Sequence, residues 1–191
     1  MLLLLVALSM LLLDQPVARW VTYLAPRLRT FAMWISEATS PVFVMPLLLA
    51  LSLFAMVPAR GKKAPVLALG IFELRCGLVA VLSSLLVKNI VGRARPSAIS
   101  GWESSLFKPL AFDDAFASLP STQAALAAAI TCSAAVHFPR YRVCLLAAGV
   151  LICVARVFAG EHWTSDVIAG WTLGWLVTLV LRRRFKQAPF P

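Results

Sequence analysis

The sequence has 191 residues, 61% of them hydrophobic and only 14% charged, with a mean hydropathy of +0.86; this balance excludes an ordinary water-soluble domain and makes the bilayer the natural solvent. The formal net charge of +10 does not indicate a nucleic-acid partner, because the basic residues stand in clusters between apolar runs rather than on one face of a polar domain. Cys76, Cys132, Cys144 and Cys153 all fall inside apolar stretches, without the close pairing of a zinc knot or disulfide framework, and read as small core residues.

A helix rising 1.5 Å per residue needs about twenty mostly apolar residues to cross about 30 Å of hydrocarbon. Residues 1–13 are apolar but lack a basic leader and a small-residue cleavage site before Asp14, so they read as a retained, short first span, with a signal peptide as the alternative. Residues 16–40 mix Arg19, Arg27, Arg29 and Glu37 with Trp20, Tyr23, Phe31 and Trp34, which suits an amphipathic segment in the interface. Further spans are predicted over residues 41–58, 64–91, 120–138, 141–160 and about 162–181. The expected fold class is therefore all-α, an integral membrane bundle of about six transmembrane helices. Residues 41–181 form its core, 182–191 a basic cytoplasmic tail, and 1–191 one domain.

Orientation follows from lysine and arginine, which cytoplasmic loops retain in excess. Arg60, Lys62 and Lys63, then Arg140 and Arg142, then Arg182, Arg183, Arg184 and Lys186 share one side if six helices alternate. That side is expected to be cytoplasmic, and residues 92–119 and the turn near Gly160 then face the periplasm or cell exterior; Arg19, Arg27 and Arg29 argue weakly the other way.

Three polar segments meet on that outer face. At the end of the third span stand Lys88, Arg93, Arg95 and Pro96; a lysine is a compact point charge and an arginine a planar fork for phosphate oxygens, although all three cations can also simply snorkel to headgroups. Pro120, Ser121, Thr122 and Gln123 open the fourth span, where free amides and the positive helix end suit an anion; taken without its neighbours, the segment is better explained as an ordinary N-cap. Arg156, His162 and Asp166 form the third segment. His162 and Asp166 are four apart, so on a helix the carboxylate can orient the imidazole as a nucleophile. An idle histidine beside an aspartate at a membrane boundary is costly.

Together these segments resemble the type 2 phosphatidic acid phosphatase superfamily. Its pattern is a lysine, six residues and Arg-Pro; then Pro-Ser-Gly-His; then Ser-Arg, five residues, His, three residues and Asp. Lys88, Arg95 and Pro96 match the first motif, and Arg156, His162 and Asp166 the third, over about residues 41 to 181. The resemblance implies that Lys88, Arg95 and Arg156 hold phosphate oxygens with Ser121 and nearby amides, the positions of Thr122 and Gln123 included. It also implies that His162 attacks phosphorus to give a phosphohistidine, with Asp166 steering the ring. It implies a lipid phosphate or diphosphate as substrate partner, within membrane lipids, and neither metal nor cofactor.

The second motif departs from this pattern: Thr122 replaces glycine, Gln123 replaces histidine, and Ala155 replaces the serine before Arg156. The family's histidine protonates the leaving oxygen, a contribution of roughly a hundred- to ten-thousand-fold, and an amide cannot. Three explanations stay open. A diphosphate releases a phosphate monoester of last pKa about 6 and needs no acid. Another residue can supply the proton, from Glu161, Asp113, Asp114 or Glu103; Glu161 is nearest but on a helix would face away from His162. Or the chain binds lipid phosphate without turning it over. A phosphotransferase results if an alcohol replaces water. His137 lies at the opposite membrane face. The loop aromatics Trp102, Phe107, Phe112 and Phe116 suit either headgroup entry or plain anchoring, and Glu73 and Arg75 read as structural charges within the third span.

Overall fold

The computed structural model describes residues 2–56, 64–99 and 103–185, and the described chain is helical apart from turns and one isolated antiparallel bridge, Arg93 with Phe107. The helices are α1 (Leu2–Leu12), α2 (Asp14–Thr22), α3 (Pro26–Ala38), α4 (Pro41–Met56), α5 (Ala64–Val91), α6 (Thr122–His137), α7 (Arg142–Phe158) and α8 (Thr164–Phe185). Arg60, Lys62, Lys63, Lys186 and Trp102, which the sequence reading used, lie outside the described residues.

The described chain has the inverted surface a bilayer demands. Leu51, Leu53 and Phe54 of α4, Leu82, Leu86 and Ile90 of α5, and Val143 and Leu151 of α7 face outward. Ser84, Ser121 and Ser165 are wholly enclosed, because a polar group in hydrocarbon must find its partners inside the protein. Three stretches are long and apolar enough to cross alone: Ala68–Val91, Pro139–Phe158 and Thr164–Arg184. Two bent pairs, Leu4–Leu12 with Asp14–Thr22 and Pro26–Ala38 with Pro41–Phe54, reach that length together, at bends of 48° and 41°. The protein is thus an all-α integral membrane bundle. Helix α1 is followed directly by α2, which bends away from it at Asp14.

The short helix α6 lies at the centre, and its alanines Ala124, Ala125, Ala128 and Ala129 have no exposed surface. Helix α8 meets it through Gly170 and Gly174, a small-xxx-small spacing that lets backbones approach. A Cβ on Gly174 would stand 2.0 Å from the Ala125 carbonyl oxygen, and one on Gly170 2.3 Å from that of Ser121. This closeness sets the first turn of α8 beside the start of α6, where the Ser121 N–H donates to the Asp166 carbonyl at 3.0 Å. His137, at the far end of α6, is buried with Nδ1 2.9 Å from the Ser133 oxygen. Within α5, Glu73 turns inward and Arg75 outward, as their spacing of two requires.

Candidate active site

The chain leaves α5 through Gly92, whose φ of +64° and contact with the Lys108 carbonyl leave no room for a Cβ. The following loop pairs back on this segment: the Ala94 N–H donates to Leu106 at 3.0 Å and that of Lys108 to Gly92 at 2.6 Å. The chain runs on from the Arg93–Phe107 bridge to Arg95, which is extended at φ −77° and ψ 152°. Arg93 goes inward and is wholly buried; Arg95, two residues on, reaches a cavity by way of the loop, its Nε donating to the Asp114 carbonyl at 2.8 Å.

All five N–H groups of Arg93 are occupied. They reach Asp166 Oδ1 and Ser165 Oγ, each at 2.6 Å, Asp14 Oδ2 at 2.7 Å, and the Ser104 carbonyl oxygen twice, at 3.0 and 2.7 Å. Asp166 Oδ2 accepts from Ser118 Oγ at 2.5 Å and from the Trp163 N–H at 3.0 Å. The same oxygen stands 3.7 Å from His162 Nδ1, close enough to orient the ring electrostatically and too long for a direct hydrogen bond. Burial pushes the His162 imidazole down to about 3; Asp166 pulls it upward and Arg156 and Arg95 push it down again. The ring is therefore neutral at pH 7.

A cavity of about 1060 Å³ opens beside the neighbouring Glu161, and His162 itself is not among its lining residues. Arg95, Gln123, Arg156 and Glu161 line one wall, and Thr30, Met33, Trp34 and Glu37, on one face of α3, line the other. Glu161 Oε2 lies 3.3 Å from Arg95 Nη1 and 4.0 Å from Arg156 Nη2. Arg156 Nη1 also donates to Ser36 Oγ, and the Gln123 amide donates to the Ser36 carbonyl and, at 2.9 Å, to Thr39 Oγ1. His162 itself borders a smaller pocket of about 60 Å³ with Asp14, Arg29 and Thr164; Ser97 lines both spaces.

A family model for the PAP2 superfamily matches residues 65–189. The chain belongs to the PAP2 superfamily. Lipid A 1-phosphatases of Rhizobium johnstonii and Rhizobium etli are each 38% identical to it over 111 residues, 54% of this chain. That stretch is 46% and 48% of their lengths, so the match spans about half of each relative. A transmembrane PAP2 type phosphatidylglycerolphosphate phosphatase from Bacillus subtilis superposes with a TM-score of 0.69 over 100% of this chain and 97% of its own. LpxE of Aquifex aeolicus does so at 0.62 over 90% and 95%. At 20% identity each, these two show the PAP2 fold alone.

The residues matching the PAP2 motifs gather at one end of the bundle. Lys88 is buried near the end of α5, within electrostatic reach of Arg95 and Arg156, and both arginines act on His162. The second motif contributes differently. Ser121 caps α6, its Oγ accepting from the Ala124 N–H at 3.4 Å, and Thr122 Oγ1 accepts from Ser84 Oγ at 2.9 Å, so both hydroxyls serve packing. Gln123 reaches the cavity with its amide committed to α3. Sequence reasoning missed Asp14, Ser36, Ser118 and Ser165; the one available signal was a lone carboxylate, Asp14, ending an apolar run. It also placed Glu161 on a helical face turned from the site. Gly160, at φ +75°, ends the helix first and frees Glu161 to reach the arginines.

Proposed function

We propose that this chain is a membrane phosphohydrolase acting on a lipid diphosphate, or on a lipid phosphate with a weakly basic leaving oxygen. The observation that carries this is Glu161: a carboxylate oxygen reaching toward Arg95 and Arg156, one residue from His162, marks where a phosphate oxygen would sit. In the proposed reaction His162 Nε2 forms a bond to phosphorus while the bond to the leaving oxygen breaks, the electron pair departing with that oxygen. Lys88, Arg95 and Arg156 offset the charge on the transferred group. Water then attacks the phosphohistidine, the P–N bond breaks, and inorganic phosphate leaves as the ring becomes neutral again. Gln123 supplies no proton, so a leaving group that is stable as an anion fits best. The Rhizobium relatives are named lipid A 1-phosphatases, which makes lipid A the second substrate to test.

The site lies at the end of the bundle opposite Arg140, Arg142 and Arg182 to Arg184. By the positive-inside rule we assign it to the non-cytoplasmic face of an inner or plasma membrane. A second reading, a lipid-phosphate binder without turnover, has support in the Gln123 amide, which is spent on Ser36 and Thr39. Phosphate release from farnesyl diphosphate, farnesyl monophosphate and lipid A separates the two. Hydrolysis of the diphosphate, an acid-labile phosphoryl label on the protein, and loss of both in His162→Ala support the enzyme. Tight binding of all three with no release supports the binder, and undiminished release by His162→Ala rejects the proposed nucleophile.

A further inference from the structure

We infer that Asp14 is a positioning residue of this site, acting through Arg93 and Ser165 on the Asp166 carboxylate that orients His162. The inference rests on the reading of His162 as the attacking group. Asp14 lies outside the matched family region of residues 65–189, at the bend between α1 and α2, and is 1% exposed. A carboxylate enclosed between apolar helices is costly unless strongly paired, and this one is. Oδ2 accepts from Arg93 Nη2 at 2.7 Å and Ser165 Oγ at 2.5 Å, and Oδ1 from the Ser165 N–H at 2.8 Å.

Two consequences follow for the ring. First, Asp14 grips the main chain and side chain of Ser165, so it fixes the first turn of α8, which carries Asp166 next to His162. Second, Arg93 is shared between two carboxylates. A single Arg93–Asp166 pair would be neutral, whereas Asp14, Arg93 and Asp166 together carry one net negative charge beside a ring that turns cationic as it attacks. Asp14 thus stabilises charge on the ring without touching it or the substrate.

The chain has two histidines, so 15N-histidine labelling in detergent micelles resolves the His162 ring, with His137→Gln assigning the other. The native ring should carry its proton on Nδ1, facing Asp166, and leave Nε2 free. Asp14→Asn, nearly isosteric, should shift population toward the Nε2-protonated tautomer. It should also lower kcat for farnesyl diphosphate by roughly 10- to 100-fold while KM moves less than about threefold, the range seen when outer supports of a reactive group are removed. Ser165→Ala, which keeps both charges, should shift the tautomer in the same direction with a smaller loss. If Asp14→Asn lowers thermal stability yet leaves the tautomer and kcat of the folded fraction unchanged, Asp14 is only a brace and the inference fails. Should Asp14→Asn not fold, the native tautomer and Ser165→Ala decide: a native Nε2-bound proton, or a Ser165→Ala ring and kcat equal to native, overturns it. Turnover surviving His162→Ala would instead defeat the nucleophile assignment, and the tautomer response to Asp14→Asn would stand or fall separately.

Discussion

The Glu161 carboxylate lies 3.3 Å from the Arg95 guanidinium, in a turn rather than on a helix, because Gly160 ends α7 in the left-handed region. It is an internal anion held where an external one is proposed to bind, and it is half-exposed, so its hold on the arginine is weak. Glu161→Gln should remove the competitor and tighten inhibition by inorganic phosphate or orthovanadate by about fivefold, the equivalent of about 1 kcal/mol. Inhibition constants measured on both proteins check this. A weaker hold in the variant would mean that Glu161 helps position the ligand instead.

Gln123 joins α6 to the end of α3 through the Ser36 carbonyl and Thr39 Oγ1. Gln123→Ala removes both bonds, while Thr39 Oγ1 keeps its donation to the Ile35 carbonyl at 2.7 Å, so the cost should be about 0.5–1.5 kcal/mol. The loss should be local: amide hydrogen exchange should quicken over residues 30–40 while the α6–α8 contact keeps its protection. Uniform quickening would show that α3 is not a separately anchored element.

Much of this arrangement is written in the sequence, and the part that is not has a physical reason. Lys88, Arg95, Arg156, His162 and Asp166 are legible because a bilayer makes charged residues expensive and their spacing is fixed by short turns and one helical repeat. The division of labour between Arg93 and Arg95 is not, since they are the same residue type two positions apart. Only the fold separates them: Arg93 is enclosed among Asp14, Ser104, Ser165 and Asp166, while Arg95 lies against Asp114 and Glu161. Asp14 and Ser36 lie 151 and 120 residues from their partners Ser165 and Arg156, and no periodicity in α1 or α3 announces a contact that only packing creates. The partner of Thr122 is equally hidden from the sequence: its hydroxyl accepts from Ser84, on another helix.

The α6–α8 contact predicts a sharp distinction between two glycines. A Cβ on Gly174 meets a backbone oxygen, that of Ala125, at 2.0 Å and can be accommodated only by moving the helices apart, whereas one on Gly70 meets the Ser52 hydroxyl at 3.2 Å, which can rotate. Gly174→Ala should therefore cost about 1–3 kcal/mol or more, with a lower midpoint of thermal unfolding in detergent and loss of phosphate release. Gly70→Ala should unfold close to the native temperature. Equal tolerance of both would show that α8 is not seated on α6 as described.

Acid should destabilise the protein through His162. Burial holds the ring at about 3, whereas an unfolded histidine titrates near 6.5. As pH falls, the unfolded chain takes up the proton first. The stability that His162 contributes is thus complete above about 6.5 and is lost as pH drops toward the folded value, at about 1.4 kcal/mol per pH unit. Between about pH 6.5 and 5 the loss amounts to about 2 kcal/mol. His162→Gln has no proton to gain, so its unfolding midpoint should fall less than that of the native protein over the same interval. Parallel falls in the two proteins would mean that the ring takes up its proton without unfolding, and that water reaches Nδ1 or Nε2 in the folded state.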